Sequence, residues 1–92
     1  MEKLNVAIVD DNPLILNTLD ELINAEDGLS VIGKADNGAD AINMIVDTTP
    51  DIVLLDLVMP KIDGISVVEK VKSEHTFMKN PAFIILSAVG GE

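Results

Sequence analysis

The sequence predicts an α/β protein built on a doubly wound parallel sheet, and three observations lead to this prediction. Apolar segments of strand length alternate with amphipathic segments of helical length, four of the former with three of the latter. Residues 52–57 are apolar apart from one aspartate and lie between two prolines, as is typical of a strand buried on both faces. Polar residues follow three of the strands directly. Alternation of this kind favours a parallel sheet with helices on its faces.

Length and composition indicate one soluble domain, residues 1–92. Of the 92 residues, 48% are hydrophobic, which is enough for a core, and the absence of cysteine excludes disulfides and thiolate metal sites. The net charge of −10 argues against binding to nucleic acid or an anionic membrane, because such binding needs clustered Lys and Arg. The sequence contains no apolar run of membrane-spanning length and no signal peptide, so we expect a cytoplasmic protein.

The first half of the chain predicts two strands and a helix. Residues 4–9 form the first strand, and Asn12 and Pro13 then suit the N-cap and the first position of a helix. That helix ends at Asp27-Gly28, and residues 29–35 form a weaker strand that suits an edge position. The residues expected on the inner face of the helix are Leu14, Ile15, Leu19, Leu22 and Ile23.

The second half predicts two more helices and two more strands. Asn37-Gly38 turns the chain into a second helix, which ends before Pro50, and residues 52–57 follow as the central strand. Residues 65–74 form the third helix, and residues 82–86 form a last strand buried on both faces. The inner faces of these helices are expected to carry Ala39, Ala41, Ile42, Ile45 and Val46 in the second, and Ile65, Val68 and Val71 in the third.

Polar side chains at the strand ends define a candidate site. Asp10 and Asp11 follow the first strand, Asp56 ends the third, and Ser87 follows the fourth. The carboxyl ends of parallel strands meet at one edge of a sheet, so these groups are expected to converge. Three adjacent carboxylates would repel one another unless a cation neutralised them, and Mg²⁺ prefers such oxygen ligands. The alternative is that the acids are helix caps and solvated turn residues.

Three motifs resemble those of the receiver domains of two-component response regulators. They are Val9-Asp10-Asp11-Asn12, then Leu55-Asp56-Leu57-Val58-Met59-Pro60 with Asp63-Gly64, and finally Leu86-Ser87-Ala88. The resemblance runs from Leu4 to about Ala88 and implies a flavodoxin-like sheet with strand order 2-1-3-4. Within the family, residues 31–38 and 86–90 look most like regulators of sporulation.

The resemblance also implies roles for individual residues. Asp56 would accept a phosphoryl group from a histidine kinase or phosphotransferase protein and thereby switch a transcription factor. Mg²⁺ would be held by Asp10, Asp11, Asp56 and the backbone carbonyl of Val58. Ser87 would be the switch hydroxyl that turns toward the phosphoryl group. A phosphoacceptor of this kind is not expected to be an enzyme with turnover.

The sequence departs from the family pattern at its C-terminal end. Receiver domains continue with a fourth helix, a fifth strand preceded by a lysine that pairs with the phosphoryl group, and a fifth helix. No lysine follows Lys79, so the chain is expected to be an incomplete receiver of about four strands and three helices. An unpaired last strand would favour a homodimer or a swapped oligomer.

Three other functions are weighed against this one. A haloacid-dehalogenase-type phosphatase also uses an aspartate nucleophile and Mg²⁺, but it needs a second acid where this chain has Val58. A dinucleotide-binding half would carry Gly-x-Gly-x-x-Gly after the first strand, and that motif is absent. An interaction or dimerisation module that has lost phosphotransfer is the remaining alternative.

Overall fold

Seven elements alternate along the chain in the order that the sequence predicts. The computed structural model describes residues 3–56, 64–74 and 81–86. The elements are β1 (Leu4–Val9), α1 (Pro13–Asn24), β2 (Leu29–Ala35), α2 (Gly38–Thr48), β3 (Ile52–Asp56), α3 (Gly64–Glu74) and β4 (Ala82–Leu86). The predicted third strand included Leu57, which lies outside the described residues, as do the predicted loop residues that follow it.

The four strands form one parallel sheet in the order β2-β1-β3-β4, which confirms the predicted fold class and topology. The order is the one that right-handed strand–helix–strand connections produce when the chain starts in the middle of a sheet. β2 lies at one edge, as its glycine and lysine predicted, and β4 lies at the other. The register between β1 and β2 shifts after Val6, so Ile32 bulges out of the pairing.

The sheet separates two groups of buried residues because successive side chains of a strand point to opposite faces. On one face, α2 and α3 cover the larger group, which consists of Ala7, Val9, Ala35, Ala41, Ile45, Val53, Leu55, Val67 and Val71. On the other face, α1 packs on β1 and β2 and buries Val6, Ile8 and Leu16. The face that carries α1 is therefore the less fully covered one.

The predicted inner face of α1 is partly wrong. Leu14 is 72% exposed, Leu22 is 61% exposed and Ile15 is exposed as well, whereas Leu16 is buried. Leu19 and Ile23 do pack against the sheet. The helix meets the sheet through the narrow stripe of residues 16, 19 and 23, and the sequence offers a wider band of apolar residues than this contact uses.

The inner faces of the other two helices follow the prediction more closely. Ala41 and Ile45 of α2 are buried and Ile42 packs beside them, but Ala39 is exposed. In α3 Val71 is buried and Val68 packs against the core, as predicted. Val67 is also buried, which the sequence analysis missed.

β4 has the composition of a buried strand but an exposed position. Ile84 is 46% exposed and Leu86 is 37% exposed. The pairing of β3 with β4 places Ile84 beside Leu54, on the face of the sheet that carries α1. Because α1 covers β1 and β2, the apolar surface of β4 on that face has no helix over it among the described residues.

Asp51, at the N-terminal ends of the strands, connects three of them by hydrogen bonds. Asp51 precedes β3, and its Oδ2 accepts a hydrogen bond from the backbone N–H of Asn5 at 2.8 Å. Its backbone N–H donates to the carbonyl of Asn5 and its carbonyl accepts from Ala82, both at 2.9 Å. Asp51 thus joins the starts of β1, β3 and β4 by hydrogen bonds.

The N-caps of α1 and α2 are asparagines, as the sequence predicts for α1. Asn12 Oδ1 accepts from the backbone N–H of Leu14 at 2.9 Å, and Asn37 Oδ1 accepts from Asp40 at 2.8 Å. The C-cap of α2 is Thr49, whose φ of 45° is left-handed. None of the helices in the described ranges is long and apolar enough to cross a membrane.

Candidate functional site

The strand register brings Asp10 and Asp56 to the same level of the sheet. β1 pairs with β3 in parallel, with Val9 opposite Leu55, so the next two positions are Asp10 and Asp56. The backbone N–H of Asp10 donates to the carbonyl of Ala35 at 3.1 Å, which extends the contact of β1 with β2 by one residue. The backbone of Asp10 is therefore held between two neighbouring strands.

The three predicted acids come together at the carboxyl ends of β1 and β3. Asp10, Asp11 and Asp56 each offer one carboxylate oxygen, and these oxygens all lie within 4.8 Å of one another. Asp10 is only 3% exposed, while Asp11 and Asp56 are half-buried. Val58 and Ser87, which the sequence analysis assigned to the same site, lie outside the described residues. The convergence follows from the strand ends, and the roles assigned to these residues stay predictions.

The surroundings of Asp10 favour its protonated form. Burial makes the largest contribution and raises the pKa of Asp10 above its ordinary value. A hydrogen bond with Asp56 and the negative charges of Asp56 and Asp11 raise this pKa further, while a hydrogen bond from the backbone of Asn12 opposes them. In the absence of a cation, protonation of Asp10 would relieve its repulsion with Asp56 and Asp11.

A cation fits this donor set. The three oxygens are hard ligands, and burial together with the three like charges favours the binding of a positive charge at the cluster. Mg²⁺ in proteins takes one or two carboxylates and completes its shell with water or phosphate oxygens. The cluster therefore offers the oxygen ligands that a magnesium site uses.

One contact at the site was missed by the sequence analysis. The backbone N–H of Asn12 donates to Oδ1 of Asp10 at 2.9 Å. The sequence identified Asn12 as a helix cap, and the structure confirms that function. The signal for the second contact was present, because an aspartate commonly accepts from the backbone N–H two residues later.

Comparison with known proteins identifies the family. The chain matches the response regulator receiver domain over residues 6–92. The signal receiver domain of NarL from Mycobacterium tuberculosis is 32% identical, with a TM-score of 0.84, over 99% of this chain and 71% of that one.

Two structures of complexes contain similar chains. A chain of the CheX–CheY–BeF3–Mg²⁺ complex from Borrelia burgdorferi is 34% identical, with a TM-score of 0.78, over 97% of this chain and 65% of that one. A chain of the complex between the P1 domain of CheA3 and CheY6 from R. sphaeroides is 27% identical, with a TM-score of 0.80, over 97% and 67%. By its sequence match, its sheet order and its acidic cluster, this chain belongs to the response regulator receiver domain family.

Proposed function

We propose that this chain is the phosphoacceptor domain of a two-component or phosphorelay response regulator and that Asp56 is the acceptor. The observation that supports the proposal best is the placement of Asp56 at the carboxyl end of β3, within 4.8 Å of two further carboxylates. Asp56 is half-buried, so a donor can reach it. Asp10 is buried and is less accessible to a donor.

The chemistry is the transfer of a phosphoryl group between proteins. A carboxylate oxygen of Asp56 forms a bond to phosphorus as the bond from phosphorus to the donor nitrogen breaks, which leaves an acyl phosphate on Asp56 and a neutral histidine on the donor. Asp10, Asp11, Asp56 and the backbone carbonyl of Val58 would hold Mg²⁺. When bound, the ion neutralises charge on the transferring oxygens. Ser87 donates a hydrogen bond to the new phosphoryl group.

The donor is a histidine kinase or phosphotransferase protein. The complex of CheY6 with the P1 domain of CheA3 supports a protein partner for a receiver of this kind. The acceptor acts once per phosphorylation and is not an enzyme with turnover. Its location is the cytoplasm, as the family resemblance implies.

The output of the switch is the control of transcription during sporulation. This finer assignment is supported by the sequence alone. Residues 31–38 and 86–90 most resemble those of the sporulation master regulator, stage 0 sporulation protein A.

Incubation with acetyl phosphate and Mg²⁺ tests the acceptor. We expect the wild-type chain to gain one phosphoryl group by intact-mass spectrometry and Asp56→Asn to gain none, because the amide keeps the size of the side chain and removes the nucleophile. Asp47→Asn, on an exposed position of α2, is the matched control and should react like the wild type. Phosphorylation of Asp56→Asn at the normal rate would reject the assignment, and continuous release of phosphate would favour a phosphatase.

A second function is proposed for β4, namely self-association. The edge strand carries exposed apolar side chains at Ile84, Ile85 and Leu86. An apolar parallel edge is a template for another strand, so a homodimer or swapped oligomer would bury this surface. The chain would then act as a dimerisation module, with or without phosphorylation.

A further inference from the structure

We propose that Asn12 is a positioning residue for the carboxylate cluster, in addition to being the cap of α1. The proposal rests on the proposed function, because it concerns the site that would hold Mg²⁺. Three hydrogen bonds meet at this one residue. Its backbone N–H donates to Asp10 Oδ1 at 2.9 Å, its Oδ1 accepts from Leu14 at 2.9 Å, and its carbonyl accepts from Leu16 at 3.1 Å.

The geometry of the three bonds couples the helix to the acid. Two of them tie Asn12 to the first turn of α1, and the side-chain bond holds its backbone in the extended conformation of a cap. That conformation aims the N–H of Asn12 at Asp10, which fixes one oxygen of the carboxyl group. A side chain two residues from Asp10 therefore decides how this buried acid is presented to Asp11 and Asp56.

α2 provides an internal comparison for this arrangement. Asn37 caps α2 in the same way, with its Oδ1 accepting from Asp40 at 2.8 Å and its carbonyl accepting from Ala41 at 2.9 Å. Its side-chain amide donates to Asp36 and Asp40, which lie outside the carboxylate cluster. The two asparagines share their capping chemistry, and they differ in that Asn12 alone bonds to an acid of the cluster.

Substitutions at the two caps separate positioning from stability. Asn12→Ala removes the side-chain oxygen, and Asn37→Ala does the same at α2. Asn12→Gly also removes it but costs little helix stability, because glycine is tolerated at N-caps, while Asn12→Ser restores an acceptor. Two properties are measured by NMR for each variant: the dissociation constant for Mg²⁺, and the hydrogen-exchange rate of the residue 12 amide without metal.

We expect Asn12→Ala and Asn12→Gly to bind Mg²⁺ about tenfold more weakly, as is common when a group that orients a metal ligand is lost. The residue 12 amide should exchange faster in both variants, and Asn12→Ser should restore both properties. Asn37→Ala should change neither, although it loses a cap of the same kind.

Two results would overturn the proposal: unchanged Mg²⁺ affinity in both Asn12→Ala and Asn12→Gly, or an equal loss of affinity in Asn37→Ala. If the wild type bound no Mg²⁺, the proposed function would fail. Hydrogen exchange would still test the positioning role of Asn12 in that case. Unchanged protection of the residue 12 amide in Asn12→Gly would show that the Asn12 side chain does not hold Asp10.

Discussion

The fold changes the chemistry of Asp10, the buried member of the carboxylate cluster. Among the described residues it is the one charged side chain that is buried, and its neighbours Asp11 and Asp56 are acids as well. Burial and like charge both oppose its ionisation, so the folded protein binds a proton at Asp10 more tightly than the unfolded chain does. A site that attracts a cation is in this way a source of instability when the cation is absent.

This difference in proton affinity predicts the pH dependence of stability. We compare the free energy of unfolding of the metal-free wild type with that of Asp10→Asn. The wild-type value should fall relative to the variant as the pH rises from the ordinary pKa of an aspartate to the raised pKa of folded Asp10. The sign follows because the folded state holds more protons than the unfolded state in that range. Above the range Asp10→Asn should be the more stable protein. Urea denaturation at several pH values in a chelating buffer measures the difference.

Addition of Mg²⁺ should reverse the order of stability. Binding to the folded state alone stabilises the wild type, and Asp10→Asn lacks one ligand and gains less. A stability difference between the two proteins that stayed constant across the pH range would contradict the raised pKa.

The sequence was enough to locate this site but not to predict which of its aspartates is buried. The strand ends placed Asp10, Asp11 and Asp56 at one edge, because parallel strands align their carboxyl ends. Asp10 and Asp11 are adjacent and chemically identical, so composition could not tell which of them the fold buries. That distinction depends on the contacts of Asp10 with β2 and α1, which form only in the folded sheet.

At the level of single elements, the end of α2 contains a strained residue. Thr49 adopts a left-handed backbone conformation with φ of 45°, and its N–H donates to the carbonyl of Ile45 at 2.9 Å. A β-branched residue is uncommon in this region because its side chain crowds the backbone. The buried Pro50 and β3 follow at once, so the sharp end of the helix sets the start of the central strand.

Replacement of Thr49 by glycine should stabilise the protein. The left-handed conformation costs an L-residue about 1–2 kcal/mol and glycine loses about 0.5–1 kcal/mol in backbone entropy, so we expect a net gain of about 0.5–1 kcal/mol. Thr48→Gly is the matched control, because Thr48 lies within α2 and its hydroxyl donates to the carbonyl of Met44. Thermal unfolding should give a higher midpoint for Thr49→Gly and a lower one for Thr48→Gly. A lower midpoint for Thr49→Gly would show that no strain is relieved.

The elements were predictable to different degrees. The bounds of β1, β2 and β4 followed from their apolar runs, and the start of α1 followed from its cap and proline. The inner face of α1 did not, because Leu14, Ile15 and Leu22 have the same composition as the residues that touch the sheet. A helix at the side of a sheet buries a narrow stripe, and tertiary contacts decide which apolar residues belong to it.

In the molecule as a whole, the two faces of the sheet are covered unequally. α2 and α3 pack on one face, and α1 packs over β1 and β2 on the other. The parallel sheet was predictable from the alternation of strands and helices, and the strand order was predictable from the resemblance to receiver domains. The coverage of β4 was not, because its apolar composition is that of a strand between two layers whereas its described neighbours cover it only in part.

Sedimentation at micromolar concentrations should therefore show self-association. We expect the weight-average mass of this 92-residue chain to rise with concentration. Ile84→Lys should shift the equilibrium toward the monomer, because a lysine on an edge strand opposes pairing. Leu14→Lys places the same charge on another exposed apolar residue, on α1 rather than on β4, and should leave the equilibrium unchanged. A compact wild-type monomer at all concentrations would refute the association.

The strand order also has a consequence for folding during synthesis on the ribosome. Asp10 follows β1, but its partner Asp56 lies on β3, which is made only after β2, the strand at the outside of the sheet. While residues 12–55 are being made, the nascent chain holds two of the three acids without a complete cluster. Closing the long loop between β1 and β3 carries an entropic cost that pairing must first repay. The acidic cluster consequently forms with the sheet itself, and a chain released before residue 56 has no complete cluster.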